Sequence, residues 1–375
     1  RVRMKVTLET SKDGCINGAD INLDAGTKWK VSEAVEEAKF RLRLEEITGI
    51  PNKGREGLGL HHREYYSKAT QREKRGLIVK KARQSEEEKR LVKIAGLSKQ
   101  GASLSWEVPQ KSLRDRDILT LPEARLTFLM KAVYDLLPTP ANKNKWFKTD
   151  EFNCRLCGES GTLNHILTGC KVALAQGRYT WRHNKVLEEL AQWIDKKRKT
   201  MNQMPLRKKS WIKFVKGGKT VTPEEVRPMT ECYLSSARDW KMRVDLVTRL
   251  KVPEQVMITT LRPDMILSSD TTKQMCIVEL TVPREDRVEI SGELKKTKYE
   301  ELKEGGAANG WRVTIRTVEV GCRGFAFRSL PQVLRDVGYE GKERKQIIKK
   351  VEDVAEQCSH MIWRWSHCKA WGREQ

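Results

Sequence analysis

The chain lacks the long apolar segments that membrane insertion and secretion require. No run of 18 apolar residues occurs in its 375 residues, and the first ten, RVRMKVTLET, contain no apolar signal-peptide core. We therefore expect no membrane partner and no secretion. Cysteine is also scarce: nine residues are too few for a disulfide framework in so long a chain. This usage fits a reducing compartment, in which thiolates are free to bind metal.

Acidic residues are also few relative to basic ones. Lys and Arg number 73 against 50 Asp and Glu, which gives a formal net charge of +23. A protein with a field of this sign attracts polyanions whatever its fold. Nucleic acid is therefore the expected partner. The length allows two or three hydrophobic cores.

Residues 1–145 contain few chemically reactive groups and predict a mostly helical region. Helices are expected over 31–47 and 121–137, the second with Pro122 in its first turn and an apolar stripe along one side. Residues 67–94 are rich in Lys, Arg, Glu and Gln with few apolar anchors. This pattern indicates a solvated helix, and a phosphate-contacting surface is the alternative. The sequence PTPANKNKW then marks a domain boundary.

A small segment over 146–177 contains the strongest single signal. Cys154, Cys157, His165 and Cys170 form a Cys-x2-Cys-x7-His-x4-Cys array. Two cysteines separated by two residues can place both thiolates on one ion, and the later His and Cys can complete a tetrahedron. A closed, sulfur-rich site of four ligands suits structural Zn2+. The alternative is that these four residues coincide by chance.

The most basic part of the chain follows, with 13 Lys and Arg against three acids over 178–220. Aromatic and basic residues alternate here, so Trp181, Trp193 and Trp211 could stack on bases, although burial in a core is the commoner role of Trp. The residues expected to contact phosphates are Arg178, Arg182, Lys196, Lys197, Arg198 and Lys199. His183 is a candidate base or ligand, but a single His on such a helix more often packs and forms hydrogen bonds.

Residues 178–375 predict an α/β domain. Strands are expected over 244–250, 256–260, 265–267, 275–282 and 311–320, with a helix over 293–303. Asp264 begins one strand and Glu279 lies within the next, so the two carboxylates could meet. Such a pair can hold Mg2+ or Mn2+ for phosphodiester hydrolysis, helped by a nearby lysine.

Pro263-Asp264 followed by Glu279 resembles the PD-(D/E)xK pattern of restriction-endonuclease-like nucleases. The resemblance implies that fold and a catalytic role for Asp264 and Glu279 as ligands of the catalytic cation. The chain departs from the pattern at Thr281, which occupies the position of the motif lysine. Lys295 or Lys298, three residues apart on one face of the following helix, would take its place.

The order of these parts is similar to the C-terminal region of non-LTR retrotransposon proteins. The cysteine–histidine array precedes Arg182-His183-Asn184, Arg262-Pro263-Asp264 with Glu279, and the Lys-rich helix. The resemblance covers roughly residues 100–370. It implies a nuclear enzyme, made in the cytoplasm, that binds DNA and element RNA and nicks target DNA to prime reverse transcription.

Such proteins carry a polymerase before the zinc segment, and no aromatic-x-Asp-Asp signature occurs in residues 1–150. Residue 1 is Arg, so we expect a fragment of a longer polyprotein that contains the polymerase, or a decayed element. One alternative function is a zinc-dependent nucleic-acid-binding module with an inactive nuclease fold. Another is a host-derived DNA-binding protein that uses the zinc segment alone. Cys358, His360, His367 and Cys368 could form a second metal site. The alternative is that this region forms a helix with one buried apolar stripe.

Overall fold

The computed structural model describes residues 9–10, 16–17, 33–38, 40, 64–97, 100–106, 108, 115–204, 232–246 and 248–372. The chain divides into two compact units, Arg1–Ser98 and Lys99–Gln375. The three-part division at 145 and 177 stays a prediction. No helix in the described ranges is both long enough and apolar enough to cross a bilayer.

The first unit contains two short strands and three helices within its described ranges. Strands β1 (Glu9–Thr10) and β2 (Ile16–Asn17) pair antiparallel. The helices are α1 (33–38), α2 (Glu64–Ser67) and α3 (Gln71–Ala95). Thr70 and Glu73 form a reciprocal capping box that fixes the start of α3. No side chain of α3 is buried, so the predicted solvated helix is confirmed.

The second unit is a mixed α/β structure around a four-stranded sheet. Its strands are β3 (Lys241–Val244), β4 (Met265–Ser269), β5 (Gln274–Thr281) and β6 (Arg312–Glu319). Its helices are α4 (Asp115–Thr120), α5 (Glu123–Val133), α6 (Pro140–Phe147), α7 (Lys171–Ala175), α8 (Arg178–Gln203), α9 (Val288–Ala308), α10 (Ser329–Val337) and α11 (Gly341–Arg364).

The strands lie in the order β3, β4, β5, β6. The first three run antiparallel to their neighbours, whereas β5 and β6 are parallel and are joined through α9. A parallel pair needs such a crossover, because the chain must return to the same end of the sheet. Strand β4 is buried along its whole length and β5 along nearly all of it, as expected for central strands covered on both faces.

Helices cover both faces of this sheet. On one face α8, α10 and α11 pack against Met265, Leu267, Val278 and Leu280. On the other face α9 and the segment 250–257 pack against Ile266, Ile277 and Val313. A third cluster joins α5, the cysteine–histidine segment and α11; its buried members are Phe128, Ala132, Leu137, Leu163, Ile166, Leu167, Cys322 and Ile362.

Two predicted strands are absent from the described residues. Residues 244–250 leave the sheet after Val244, and the Asp245 carboxylate accepts the backbone N–H of Leu250 at 2.9 Å. Residues 256–260 are irregular, although Val256 is fully buried. The apolar residues of both segments are used to cover the sheet rather than to extend it, which hydrophobicity alone does not distinguish. The strands predicted over 265–267, 275–282 and 311–320 are confirmed within a residue or two at each end.

Candidate functional site: a cysteine–histidine cluster and a carboxylate pair

The four residues of the array converge on one point. One ligand atom from each of Cys154, Cys157, His165 and Cys170 lies within 4.8 Å of every other. The Cys154 and Cys170 sulfurs are 4.0 Å apart, and the Cys157 sulfur is 3.1 Å from His165 Nε2. Ligands at about 2.3 Å from a tetrahedral zinc would be separated by about 3.8 Å. The predicted convergence is confirmed, and these residues could hold a metal ion.

Local backbone geometry brings the first two cysteines together. The N–H of Cys154 donates to the Glu159 carbonyl at 2.6 Å, and the N–H of Gly158 donates to the Cys154 carbonyl at 2.9 Å. Gly158 has a φ of 77°, a left-handed conformation that side chains disfavour. The resulting tight turn holds both thiols on one side, while His165 begins a single π-helical turn that ends at Gly169.

Neighbouring side chains orient the ligands. His165 directs Nδ1 toward the Glu159 carboxylate at 3.7 Å, so that Nε2 faces the sulfurs. A carboxylate behind a histidine is a common way to fix a metal ligand. Burial lowers the pKa of His165, which favours the neutral ring that metals bind. From α8, the Tyr179 hydroxyl accepts the N–H of Cys170 and donates to the Ile166 carbonyl.

Asp264 and Glu279 also meet, at one end of the sheet. Because Met265 pairs with Val278, Asp264, which directly precedes β4, lies opposite Glu279 of β5. Their contact is direct, since the Asp264 N–H donates to Glu279 Oε1 at 2.9 Å. Asp264 Oδ2 accepts the N–H of Leu280 at 2.9 Å. Glu279 is fully buried, whereas the Asp264 side chain keeps 13% of its surface exposed.

Lys295, rather than Lys298, reaches the carboxylates. From α9 its ammonium lies 2.6 Å from Glu279 Oε2 and 3.5 Å from Asp264 Oδ2. Lys298 is exposed and lies over the ring of Tyr299, with its nitrogen 3.2 Å from the hydroxyl. The Thr281 hydroxyl is buried and makes no hydrogen bond within the described ranges. Lys295 therefore supplies a positive charge that Thr281 cannot.

His183 belongs to this site, a role that sequence reasoning considered but did not favour. Its Nε2 lies 3.4 Å from Asp264 Oδ2 and 3.2 Å from the Leu280 carbonyl. Asn184 Oδ1 approaches the other ring nitrogen at 3.2 Å. The only sequence feature that pointed to His183 was the triplet Arg182-His183-Asn184. It precedes Asp264 by about 80 residues, and the sequence does not show that the two lie close together in space.

Asp245 is a second residue that sequence reasoning missed. It follows β3 directly, and its N–H donates to the Asp264 carbonyl at 2.9 Å. Asp245, Asp264 and Glu279 therefore lie on one row across three adjacent strands. The Asp245 carboxylate is bound by Arg262 Nε at 2.7 Å. Only the strand register reveals this row, because no short motif links residue 245 to residue 264.

The two facing carboxylates differ electrostatically. Burial opposes ionisation of Asp264, but His183, Lys295 and the Leu280 N–H outweigh it and lower the pKa of Asp264. Burial, together with the charge of Asp264, raises the pKa of Glu279 despite the attraction of Lys295. Burial alone would lower the pKa of His183, yet its contact with Asp264 raises it. One carboxylate is thus held ionised and the other more readily keeps a proton.

Two of the expected phosphate-contacting residues are corrected by the structure. Arg178 is buried and donates to the carbonyls of Trp365 and Cys368 at 2.7 and 2.6 Å. Arg182 is buried and donates to the Leu167 carbonyl and the Ser359 hydroxyl at 3.0 and 2.9 Å. Neither guanidinium is presented at the surface, because both satisfy interior carbonyls.

The remaining four basic residues stay predictions for nucleic-acid contact. Lys196 and Lys199 are exposed, and Lys199 pairs with Asp195 at 2.8 Å. Lys197 lies over the ring of Tyr339, and Arg198 binds Asp195 and the Trp240 carbonyl. Trp181 and Trp193 are half-buried against Trp371 and Tyr339. Trp211 lies outside the described residues.

Arg182 connects the two sites. One nitrogen of its guanidinium, Nη1, donates to the carbonyl of Leu167, in the cysteine–histidine segment, and the other, Nη2, donates to the Val282 carbonyl at 3.3 Å, three residues beyond Glu279. The next residue along α8 is His183, which touches Asp264. Two adjacent residues of one helix therefore join the cysteine–histidine segment to the carboxylate pair.

The described ranges contain no second cluster of Cys, His, Asp or Glu ligands like the first. His360 packs against Phe128 and Trp363, and Cys358 is buried on α11. Of the buried helical stripe expected here, Ile362 is buried, whereas Trp365 is exposed and lies with Cys368 beyond the end of α11. No protein-family model matches the chain, and no curated protein is similar enough to it to be identified as a relative.

Proposed function

We propose that the second unit is a metal-dependent endonuclease that hydrolyses phosphodiester bonds in DNA. The observation that carries this proposal is the meeting of Asp264, Glu279 and Lys295 at one end of the sheet, with the ammonium 2.6 and 3.5 Å from the two carboxylates. Two acids and a lysine on neighbouring elements of an α/β core support a restriction-endonuclease-like arrangement, in which a helix lysine replaces the one expected at Thr281.

The donor set fits a hard divalent cation such as Mg2+ or Mn2+. Carboxylate oxygens are the ligands that such ions prefer. Asp264 Oδ1 makes no hydrogen bond to any described residue, so it is available to a cation, and Glu279 would supply the second carboxylate. When bound, the cation would polarise a phosphoryl oxygen and acidify a water molecule.

The chain's own residues would perform the other tasks. The ammonium of Lys295 offsets the charge of the phosphate and orients the attacking water. His183, held against Asp264, keeps the carboxylate ionised and can donate a proton to the leaving oxygen. The Tyr299 hydroxyl donates to the Arg262 carbonyl at 2.7 Å, and this hydrogen bond holds the backbone two residues before Asp264 in place.

The cysteine–histidine cluster would hold a structural Zn2+. All four positions are filled by protein ligands, so the ion would have no open coordination site for catalysis. Its role would be to fold the segment around residues 152–177, which has little core of its own. Through Tyr179 and Arg182 this fold would also hold α8, and with it His183, against the sheet.

The resemblance to non-LTR retrotransposon proteins gives the proposed setting. In that setting the nuclease would nick chromosomal DNA in the nucleus, and the exposed 3′ end would prime copying of element RNA by a polymerase region of the same polyprotein. The positive net charge of +23 supports binding of both nucleic acids.

A plasmid-nicking assay tests the proposal. With Mg2+, the purified chain should convert supercoiled DNA to the open circle, and Asp264→Ala should lower the rate about 100-fold or more, because an essential transition-state interaction is lost. Asp150→Ala, which removes an exposed carboxylate outside the site, is the matched control and should nick normally. Thermal unfolding of each variant separates loss of chemistry from loss of fold. An Asp264→Ala protein that nicks at the unsubstituted rate would reject the assignment.

One observation favours a second candidate, a zinc-dependent nucleic-acid-binding module with an inactive nuclease fold. Both Glu279 oxygens are already hydrogen bonded, and Lys295 contacts both of the carboxylates that would hold a cation. This candidate predicts salt-sensitive binding, with a log–log slope of about −0.9 per phosphate contacted, and no cleavage with any divalent metal.

A further inference from the structure

A groove runs along strand β3, which forms one edge of the sheet in the part of the chain that the structure describes. Strand β3 pairs with β4 alone within the described ranges. Met242 and Val244 pack into the core on one face, so the alternating residues Lys241 and Arg243 lie exposed on the other. The segment 249–262 forms the opposite wall, and the space between them is about 880 Å³.

Among the residues that the structure describes, basic side chains outnumber acidic ones in the groove. Its basic lining residues are Lys241, Arg243, Arg249, Lys251 and Arg262, and its acidic ones are Glu254 and Asp270. Lys241 pairs with Asp270 at 2.6 Å, and Arg262 pairs with Asp245 at 2.7 Å. Arg243, Arg249 and Lys251 are exposed and form no ion pair with any residue that the structure describes. With Glu254 as the one acid of the groove outside an ion pair, these three cations leave an excess of positive charge that attracts a polyanion.

The groove leads to the carboxylate pair. Arg262 lines it and is followed directly by Pro263 and Asp264. At the other wall, the chain leaves β3 at Asp245, whose N–H donates to the Asp264 carbonyl. The positively charged surface therefore ends at the row of residues that contains Asp264 and Glu279.

We infer that this edge groove holds the phosphate backbone of duplex DNA beside the cleaved bond, through Arg243, Arg249 and Lys251. The inference rests on the proposed nuclease function, because it assigns the groove to the same substrate. Contacts of this kind are independent of sequence and set the position of the duplex.

Binding without cleavage tests the inference. The full chain is titrated into a fluorescently labelled 30-base-pair duplex, without divalent metal other than zinc, over a series of salt concentrations. The triple variant Arg243→Gln, Arg249→Gln, Lys251→Gln should bind at least 10-fold more weakly at 100 mM salt. Its log–log slope should be smaller by about 2.7, because three phosphate contacts are removed at about 0.9 each.

A matched control removes the same charge from another surface. The triple variant Lys342→Gln, Lys345→Gln, Lys350→Gln changes three exposed lysines of α11, and its slope should fall by less than 1. Equal losses in the two triple variants would overturn the inference, because net charge alone would then explain the binding. Unchanged binding by the groove variant would overturn it as well. Thermal unfolding and zinc content verify that both variants are folded.

Two further measurements separate the possible failures. A single-stranded RNA of equal length is tested in the same way. If it binds more tightly than the duplex, and its log–log slope falls by the same amount in the groove variant, the groove binds RNA and the DNA assignment is overturned. Plasmid nicking is measured separately on the unsubstituted chain. If the unsubstituted chain does not nick plasmid, the nuclease proposal is rejected. If the groove variant nevertheless binds the duplex more weakly than the unsubstituted chain, the groove is still established as a DNA-binding surface.

Discussion

The cysteine–histidine cluster and the carboxylate pair are assembled in opposite ways. The cluster draws all four ligand residues from 17 consecutive positions, 154–170, and one tight turn with a following π-turn brings them together. The carboxylate site draws on His183 in α8, Asp264 directly before β4, Glu279 in β5, and Lys295 in α9. The first site needs only local geometry, whereas the second exists only after the sheet and both helices have packed.

This difference indicates where each site is vulnerable. Loss of an ion would unfold the local segment around the cluster, because its larger apolar residues pack against α5 and α11, and the buried residues that pack together within the segment are only Cys154, Cys170 and Ala173. The carboxylate site would instead fail through a change in register or helix position, even if every one of its residues were kept. Arg182 lies between the two, with hydrogen bonds to Leu167 and Val282. The sites are therefore expected to be coupled in stability although their chemistry is separate.

The largest effect should follow removal of zinc. Cys170→Ser should lower the zinc content from one ion per chain to none and withdraw on the order of 10 kcal/mol of folding free energy from the segment. Atomic absorption and limited proteolysis within 152–177 measure both changes. Cys368→Ser, a half-buried cysteine outside the cluster, should keep one zinc. If the zinc-free protein resisted proteolysis and nicked plasmid normally, the proposed coupling of the two sites would be wrong.

A smaller effect is expected at Lys295 and Lys298 of α9, of which only Lys295 contacts the carboxylates. Lys295→Ala leaves buried Glu279 without its ion partner and should cost about 3–5 kcal/mol in unfolding free energy, together with most of the nicking activity. Lys298→Ala should change stability by less than about 0.5 kcal/mol. Urea denaturation and plasmid nicking compare the pair. Equal nicking losses in the two variants would mean that the exposed lysine also takes part in cleavage.

The smallest effect on stability is expected when a buried basic residue of α8, Arg182, is compared with an exposed one, Lys199. Arg182→Met should lower the free energy of unfolding by about 3 kcal/mol, since interior carbonyls lose a charged donor. Lys199→Met, at an exposed position, should alter it by less than about 0.5 kcal/mol. Both variants remove one positive charge, which makes them a matched pair. A DNA-binding slope that fell more in Arg182→Met than in Lys199→Met, at equal stability, would contradict the interior role of Arg182.

The sequence predicts well where chemistry depends on neighbouring residues. The convergence of Cys154, Cys157, His165 and Cys170 follows from their spacing, and the solvated helix α3 follows from its composition. It predicts less well where burial decides. Arg178 and Arg182 stand in a basic, aromatic-rich stretch that resembles a surface, yet both guanidinium groups bind interior carbonyls. Local sequence does not encode which side of α8 other elements will cover.

By itself, then, the sequence determined the charge of the molecule, the four residues of the cysteine–histidine cluster, three of the four strands of the main sheet, and the identity of the two carboxylates that could form a pair. Tertiary structure decided that Asp264 and Glu279 are opposite neighbours, that Lys295 rather than Lys298 reaches them, and that His183 and Asp245 join them. The physical reason is that these contacts depend on packing between elements. Asp264 and Glu279 are 15 positions apart and Glu279 and Lys295 are 16 apart, about the span of the cysteine–histidine cluster. They meet, and His183 joins them, only when strand register and helix packing, set by many buried side chains together, bring them to one place.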